Sequence, residues 1–157
     1  MFSALGARVQ VAVAVDLFAG TGALGIEALS RGAGFCIFVE KDPAVARVLE
    51  ANLQRTGLRQ RARIVREDVF SVLPNMGAGV LPQPAGLVLA DPPYGTGMAA
   101  RVLELLGRWP ALLPGAAVVI EHGSREILPE RAGQLVQERW YPHGDTAFTV
   151  YRVEPAS

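Results

Sequence analysis

Nearly continuous apolar runs, separated by helix-like stretches, constrain the fold of this chain more than any other feature. Val11 to Leu17, Phe35 to Val39, Leu87 to Ala90 and Ala117 to Glu121 show little of the polar alternation of a half-solvated sheet. Strands read this way when both their faces are covered, which is the situation in parallel sheets with helices on either side. The intervening segments carry helical signals. Gly22 to Arg31 reads as a helix. Asp42 caps a second one, with Pro43 in its first turn, Val45, Val48, Leu49 and Leu53 at helical spacing, and Gly57 closing it. Ala62 to Val65 supplies a third strand, Met98 to Leu106 a helix, and Leu135 to Tyr141 a sixth strand. Asp145 to Val153 alternates (Phe148, Val150, Tyr151) after a Pro-His-Gly turn, and so short a connection joins only antiparallel neighbours. The expectation is an α/β, Rossmann-like single domain over 1–157. Its sheet is mostly parallel and seven-stranded, with one antiparallel strand near the C-terminus and helices on both faces. The Gly- and Pro-rich stretch Asn75 to Gly86 reads as a loop.

Composition narrows the function classes. No apolar run approaches the roughly 18 residues needed to span a bilayer, so no membrane partner is expected. The start, Met1 to Arg8, lacks the charged and apolar regions of a secretory signal. Cys36 is the single cysteine, which permits no internal disulfide and fits a reducing cytoplasm. Its apolar neighbours point to a buried strand cysteine. Fifteen basic residues balance fifteen acidic ones. A neutral domain exerts no general pull on nucleic acid, so any such binding must rest on a local patch.

The most informative chemistry lies at Asp91-Pro92-Pro93-Tyr94, directly after an apolar strand. Prolines cannot donate to a sheet ladder, so the strand stops there and its end turns out at a rim. An acid, bare carbonyls and an aromatic ring at such a rim can grip a flat group bearing an exocyclic amine. The acid accepts one N–H, a proline carbonyl accepts the other, and the ring stacks on the plane. A plain strand-ending turn is the alternative.

Between the first strand and its helix, Gly20, Gly22 and Gly25 follow the G-x-G-x-x-G spacing of dinucleotide sites. Asp16, on the approach to that loop, disfavours a pyrophosphate and suits an ammonium or sulfonium. Glu40 ends the second strand, where an acid binds ribose hydroxyls. Asp68 and Val69 follow the third strand, where Asp either accepts from an adenine amine or caps a helix. All these groups belong at the carboxyl ends of parallel strands, where open α/β sheets bind ligands. Together they imply S-adenosylmethionine beside an amine-bearing planar substrate.

The segment Asp16 to Ala33 (DLFAGTGALGIEALSRGA) closely resembles the first motif of the RsmD-type family. Phe38 to Asp42, Leu89 to Tyr94 and Gly144-Asp145-Thr146-Ala147 resemble its later motifs, in the same order. That family comprises bacterial class I methyltransferases acting on a guanine N2 of small-subunit (16S) ribosomal RNA. The resemblance implies S-adenosylmethionine as cofactor, S-adenosylhomocysteine as product and no metal. It implies cofactor binding by Asp16, Phe18, Ala19, Gly20, Gly22, Ala23, Glu40, Lys41, Asp68 and Val69. It implies a catalytic role for Asp91, Pro92, Pro93 and Tyr94. The implied partner is 16S rRNA within a small-subunit assembly particle, met by a monomer. Family members usually carry a basic N-terminal segment before the point where this sequence begins, so that segment is expected to be missing.

The remaining polar residues are read by position. Arg55, Arg59, Arg61 and Arg63 should form a solvated face away from the site. Lys41, Arg66, Arg101, His122, Arg125 and His143 should follow strand ends or line the rim, with Arg66 and Arg125 as phosphate contacts. His122 and His143 lack companions at metal-ligand spacing. Trp109 and Trp140 are read as core. Rival functions remain: an amino-methyltransferase for adenine N6 or a protein glutamine, a nicotinamide-dependent oxidoreductase, or a non-catalytic RNA-binding factor.

Overall fold

The computed structural model describes residues 1–77 and 79–155. Among the described residues, eight strands form one sheet in the order β3-β2-β1-β4-β5-β8-β7-β6. The first five are β1 (Val13–Leu17), β2 (Phe35–Val39), β3 (Ala62–Val65), β4 (Ala85–Ala90) and β5 (Leu112–Gly123). They run parallel, with β1 central between β2 and β4. β8 (Thr146–Val153) lies antiparallel between β5 and β7 (Leu135–His143), and the two-residue β6 (Arg131–Ala132) borders β7.

The expected mixed sheet with a reversed C-terminal strand is therefore present, with β6 as an eighth, edge strand. β5 begins at Leu112 rather than Ala117, because a register shift between Ala85 and Leu87 lets the chain around Pro114-Gly115 bow outward and stay paired at both ends. Of the loop expected over 75–86, Asn75 ends a 3-10 turn (Leu73–Asn75), the stretch from Met76 to Pro84 connects, with Ala78 outside the described residues, and Ala85 and Gly86 are already in β4.

The period of two divides each buried strand between two cores. Val13, Val15 and Leu17 join Ile37, Val39, Val88, Val118 and Ile120 on one face, beneath α4 (Val69–Val72) and α5 (Met98–Gly107). Ala14 joins Cys36, Phe38, Leu87, Leu89 and Val119 on the other, beneath α1 (Phe2–Leu5), α2 (Ala23–Ser30) and α3 (Pro43–Arg55). Cys36 is fully buried, as expected.

α3 starts and stops as its sequence dictates. The Asp42 carboxylate accepts from the backbone N–H groups of Ala44 and Val45, and Gly57 takes a left-handed conformation (φ 75°) after the last turn. Ala46, Leu49 and Leu53 are its buried stripe, while Val48 stands exposed. Among the described residues, no helix is long and apolar enough to cross a membrane.

Candidate active site

The chain leaves β1 through a loop whose backbone is set by glycines. Gly20 (φ 57°) and Gly22 (φ 92°) adopt left-handed conformations, and so does Phe18 (φ 56°), alone among the described non-glycine residues. A bulky residue holds that conformation only where its surroundings impose it. Here the Phe18 ring packs edge-on against Phe70, with centroids 5.9 Å apart. The loop is pinned by Ala19 N–H to Val39 O (2.9 Å) and by the Asn52 side-chain amide to Thr21 O (2.9 Å). A side chain at Gly20 would meet no atom within 4 Å, so its open face is available to a ligand.

Glu40, just past β2, clamps that loop. Its Oε1 accepts from Gly20 N–H (2.9 Å) and its Oε2 from Asp42 N–H (2.9 Å). Each carboxylate oxygen keeps a second lone pair for a further donor. Asp68 caps α4, accepting from Phe70 N–H at 3.1 Å, and Val69 is buried beside it. The capping alternative for Asp68 is thus realised, through Oδ2.

Asp16 takes a different place from the rim acids. It sits mid-register in β1, opposite Phe38 and Leu89, on the face covered by α2. Only 1% of it is exposed, and its Oδ2 accepts from Gly25 N–H at 2.9 Å. Burial pushes its carboxyl well above the usual range, opposed by the Gly25 N–H and reinforced by the charges of Asp91 and Glu40. Gly25 is glycine because a side chain there would collide with the Phe38 ring and come within 2.9 Å of Asp16 Oδ2.

Beyond β4, Asp91 and Tyr94 stand at the rim while Pro92 is buried. Thr96 Oγ1 donates to Pro93 O at 2.8 Å, which closes the turn after the two prolines. Tyr94, 43% exposed, donates its hydroxyl to Glu121 Oε2 at 3.0 Å, and Gly95 N–H donates to Glu126 Oε1 at 2.8 Å. Burial and then Glu121 push the Asp91 carboxyl up to about 7. The same two causes, with smaller contributions from Asp91 and Glu126, raise the Tyr94 hydroxyl.

A pocket of about 260 Å³ opens between these segments. Of the residues singled out from sequence, Phe18, Glu40, Lys41, Asp68, Val69, Asp91 and Pro93 line it. Asp16, Ala19, Gly20, Gly22, Ala23, Pro92 and Tyr94 lie outside its lining, in the loops that frame it, at the start of α2 for Ala23, and beneath those loops for Asp16. Val39, Glu67 and Met98 line it without having been singled out. Val39 and Met98 were read only as strand and helix residues, and Glu67 carried no motif signal. The lining joins apolar walls (Phe18, Val39, Val69, Met98) to a rim of carboxylates. An apolar slot suits an adenine, and hydrogen-bond acceptors suit ribose hydroxyls and an ammonium. The donor set therefore fits S-adenosylmethionine. Among the described residues, no group of three or more His, Cys, Asp or Glu side chains is gathered as a metal would require.

The other polar positions sort by face. Arg61 is not merely solvated, since its guanidinium donates to the carbonyls of Leu29, Ala33 and Gly34 behind α2. Arg59 pairs with Glu50 at 2.5 Å, and Arg63 donates to Gly79 O at 2.9 Å. These groups hold the strand entrances, at the sheet end opposite the pocket. Arg101 lies over the Phe70 ring at 4.0 Å. His122 is buried, with its ring nitrogens 2.8 Å from Thr149 Oγ1 and 2.9 Å from Gly123 O. Arg66 and His143 are exposed, and Arg125 lines a second cavity with Trp140.

Trp109 is core, its Nε1–H donating to Met76 O at 2.8 Å, but Trp140 is 51% exposed. It lies past a bulge in β7 between Gln137 and Arg139 and lines a cavity with Ile127, Gln137 and Thr149.

The sequence motif Gly144 to Ala147 forms the β7–β8 hairpin turn and the start of β8. There Asp145 O accepts from Ser124 N–H (2.9 Å), which brings the motif beside the end of β5.

A sequence profile of the family described as conserved hypothetical protein 95 matches residues 1–152. YlbH of Bacillus subtilis, provisionally described as an rRNA methyltransferase, is 32% identical over 97% of this chain and 82% of its own length. Ribosomal RNA small subunit methyltransferase D of Escherichia coli K12 is 32% identical over 98% of this chain and 75% of its own. The solved structure of a conserved hypothetical protein from Streptococcus pyogenes superposes with a TM-score of 0.87. It is 27% identical and matched over 98% of this chain and 92% of that one.

Proposed function

Because this chain belongs to the conserved hypothetical protein 95 family, the family of ribosomal RNA small subunit methyltransferase D, we propose that it methylates the exocyclic N2 amine of a guanine in small-subunit ribosomal RNA. The observation that carries this reading is Asp91 in the lining of the pocket, at the end of β4, with Pro93 beside it in that lining. Phe18, Glu40, Lys41, Asp68 and Val69 would hold S-adenosylmethionine. When bound, that cofactor supplies a methyl group activated on a sulfonium.

The chain's own residues then act on the amine. A guanine N2 is a poor nucleophile because its lone pair is delocalised into the ring. Hydrogen bonds from its two N–H groups to the Asp91 carboxylate and the Pro92 carbonyl favour a pyramidal nitrogen and release that pair. A fixed anion at Asp91 stabilises the positive charge that develops there. Tyr94 supplies a face for the base, worth roughly 1–3 kcal/mol of stacking, against a few for unstacking it. A base already splayed in a loop of an assembling cytoplasmic subunit is the easier substrate, and a monomer suffices to meet it.

Incubation with tritiated S-adenosylmethionine and, separately, immature small subunits, naked rRNA, DNA and protein tests this. Label should appear in small-subunit rRNA as N2-methylguanine, and label confined to DNA or protein would overturn the reading. Replacing Asp91 with alanine should leave cofactor affinity within a few-fold. A lost charge-assisted hydrogen bond of about 1.5–3 kcal/mol should slow turnover roughly ten- to a hundred-and-fifty-fold.

A further inference from the structure

We propose that Glu121 is a positioning residue for the amine grip, and that Asp91 and Glu121 act as one carboxyl pair that collects the proton the amine must shed. The inference rests on the reading of Asp91 as the amine acceptor.

Its basis is geometric. β4 and β5 run parallel in register through Ala90 opposite Ile120, so the next residues along, Asp91 and Glu121, emerge side by side at the rim. Glu121 Oε2 accepts the Tyr94 hydroxyl at 3.0 Å, and Glu126 accepts Gly95 N–H at 2.8 Å. Two acids from the β5 side thereby hold the turn that carries the stacking ring. Among the described residues, neither Asp91 nor Glu121 has a Lys, Arg or His partner within ion-pair distance.

Acids predominate in the surroundings, with Lys41 as the basic residue of the pocket lining. The Asp91 charge bears on Asp16 in β1, Glu121 faces Asp91 from β5, and Glu126 stands behind Tyr94. Lys41, Glu40, Glu67 and Asp68 share its pocket. Adjacent carboxyls in such a field do not both ionise readily, so the pair retains one proton toward neutrality. Tyr94 donates its hydroxyl to Glu121, so Asp91 is the member of the pair left open to the amine.

The step balances simply. After methyl transfer the nitrogen carries a positive charge and one proton in excess. Its N–H bond breaks, the electron pair stays on nitrogen, and the proton passes to the ionised Asp91 carboxylate. The pair then releases it to solvent at the exposed rim. Turnover should rise with pH through about 7, as Asp91 loses its proton and becomes free to accept the amine.

Two substitutions move that midpoint in opposite directions. Glu121→Gln keeps an acceptor for Tyr94 but deletes the neighbouring charge, so Asp91 should ionise at lower pH, by about one unit or more. Tyr94→Phe keeps the ring but removes the hydroxyl that engages Glu121, so the Glu121 charge bears more fully on Asp91, whose proton should leave at higher pH. Carbon NMR titration of the Asp91 carboxyl in the protein alone reads both shifts, and the acid limb of kcat on rRNA should follow them.

Midpoints that stay in place, or move together, overturn the proposal. If Glu121→Gln does not fold, the upward shift in Tyr94→Phe decides alone, and its absence is fatal. Opposite shifts in a protein that fails to methylate rRNA would support the pair while refuting the function above.

Discussion

Replacing Glu40 with alanine separates two roles that one carboxylate performs here. In the structure Glu40 accepts the Gly20 and Asp42 N–H groups, each at 2.9 Å. In the proposed complex its remaining lone pairs accept ribose hydroxyls. Hydrogen bonds to a charged acceptor contribute about 1.5–3 kcal/mol each. The Asp42 end is exposed, so water replaces that bond at little cost, and the Gly20 bond dominates. A stability loss of about 1.5–3 kcal/mol follows, which for a domain of this size lowers Tm by roughly 3–12 °C. The ribose contacts are lost as well, so S-adenosylmethionine should bind at least about tenfold more weakly. Scanning calorimetry measures the first loss and titration calorimetry the second, carried out well below the variant's Tm. A variant with lowered Tm but cofactor affinity within twofold of the parent would refute the ribose assignment and leave Glu40 as a loop clamp only.

Two further outcomes test the packing. Gly25→Ala places a methyl against the Phe38 ring and 2.9 Å from Asp16 Oδ2, both buried, so thermal denaturation should show a loss of about 1–3 kcal/mol or more. Trp109→Ala should lower stability by about 3–5 kcal/mol, whereas Trp140→Ala should change it by about 0.5 kcal/mol or less in urea melts; equal losses would contradict the exposure of Trp140.

Much of the site was legible because its residues sit at strand ends that announce themselves. The bounds of β2 and β3 coincide with the apolar runs read from sequence, and Asp42 and Gly57 bracket α3 where cap chemistry places them. Glu40, Asp68 and Asp91 follow such strands, so they gather at one rim once the sheet is parallel. Asp16 was harder to place. Its type suggested a ligand contact, and its parity in β1 directs it under α2, where it accepts from the Gly25 N–H. Trp140 was misread because composition does not show how far a strand near the sheet edge is covered: outward of β7 lies only the two-residue β6 among the described residues.

The chain's pattern of apolar runs, caps and glycines determined which segments become strands and helices, and hence which end of the sheet carries the acids. Those are local matters, settled by periodicity and by backbone conformations that few residues tolerate. Which strand lies beside which is a long-range matter, decided by how the whole sheet closes over its two cores. Only that closure set Glu121 beside Asp91, thirty residues earlier in the chain, and turned an ordinary strand-end acid into half of a carboxyl pair.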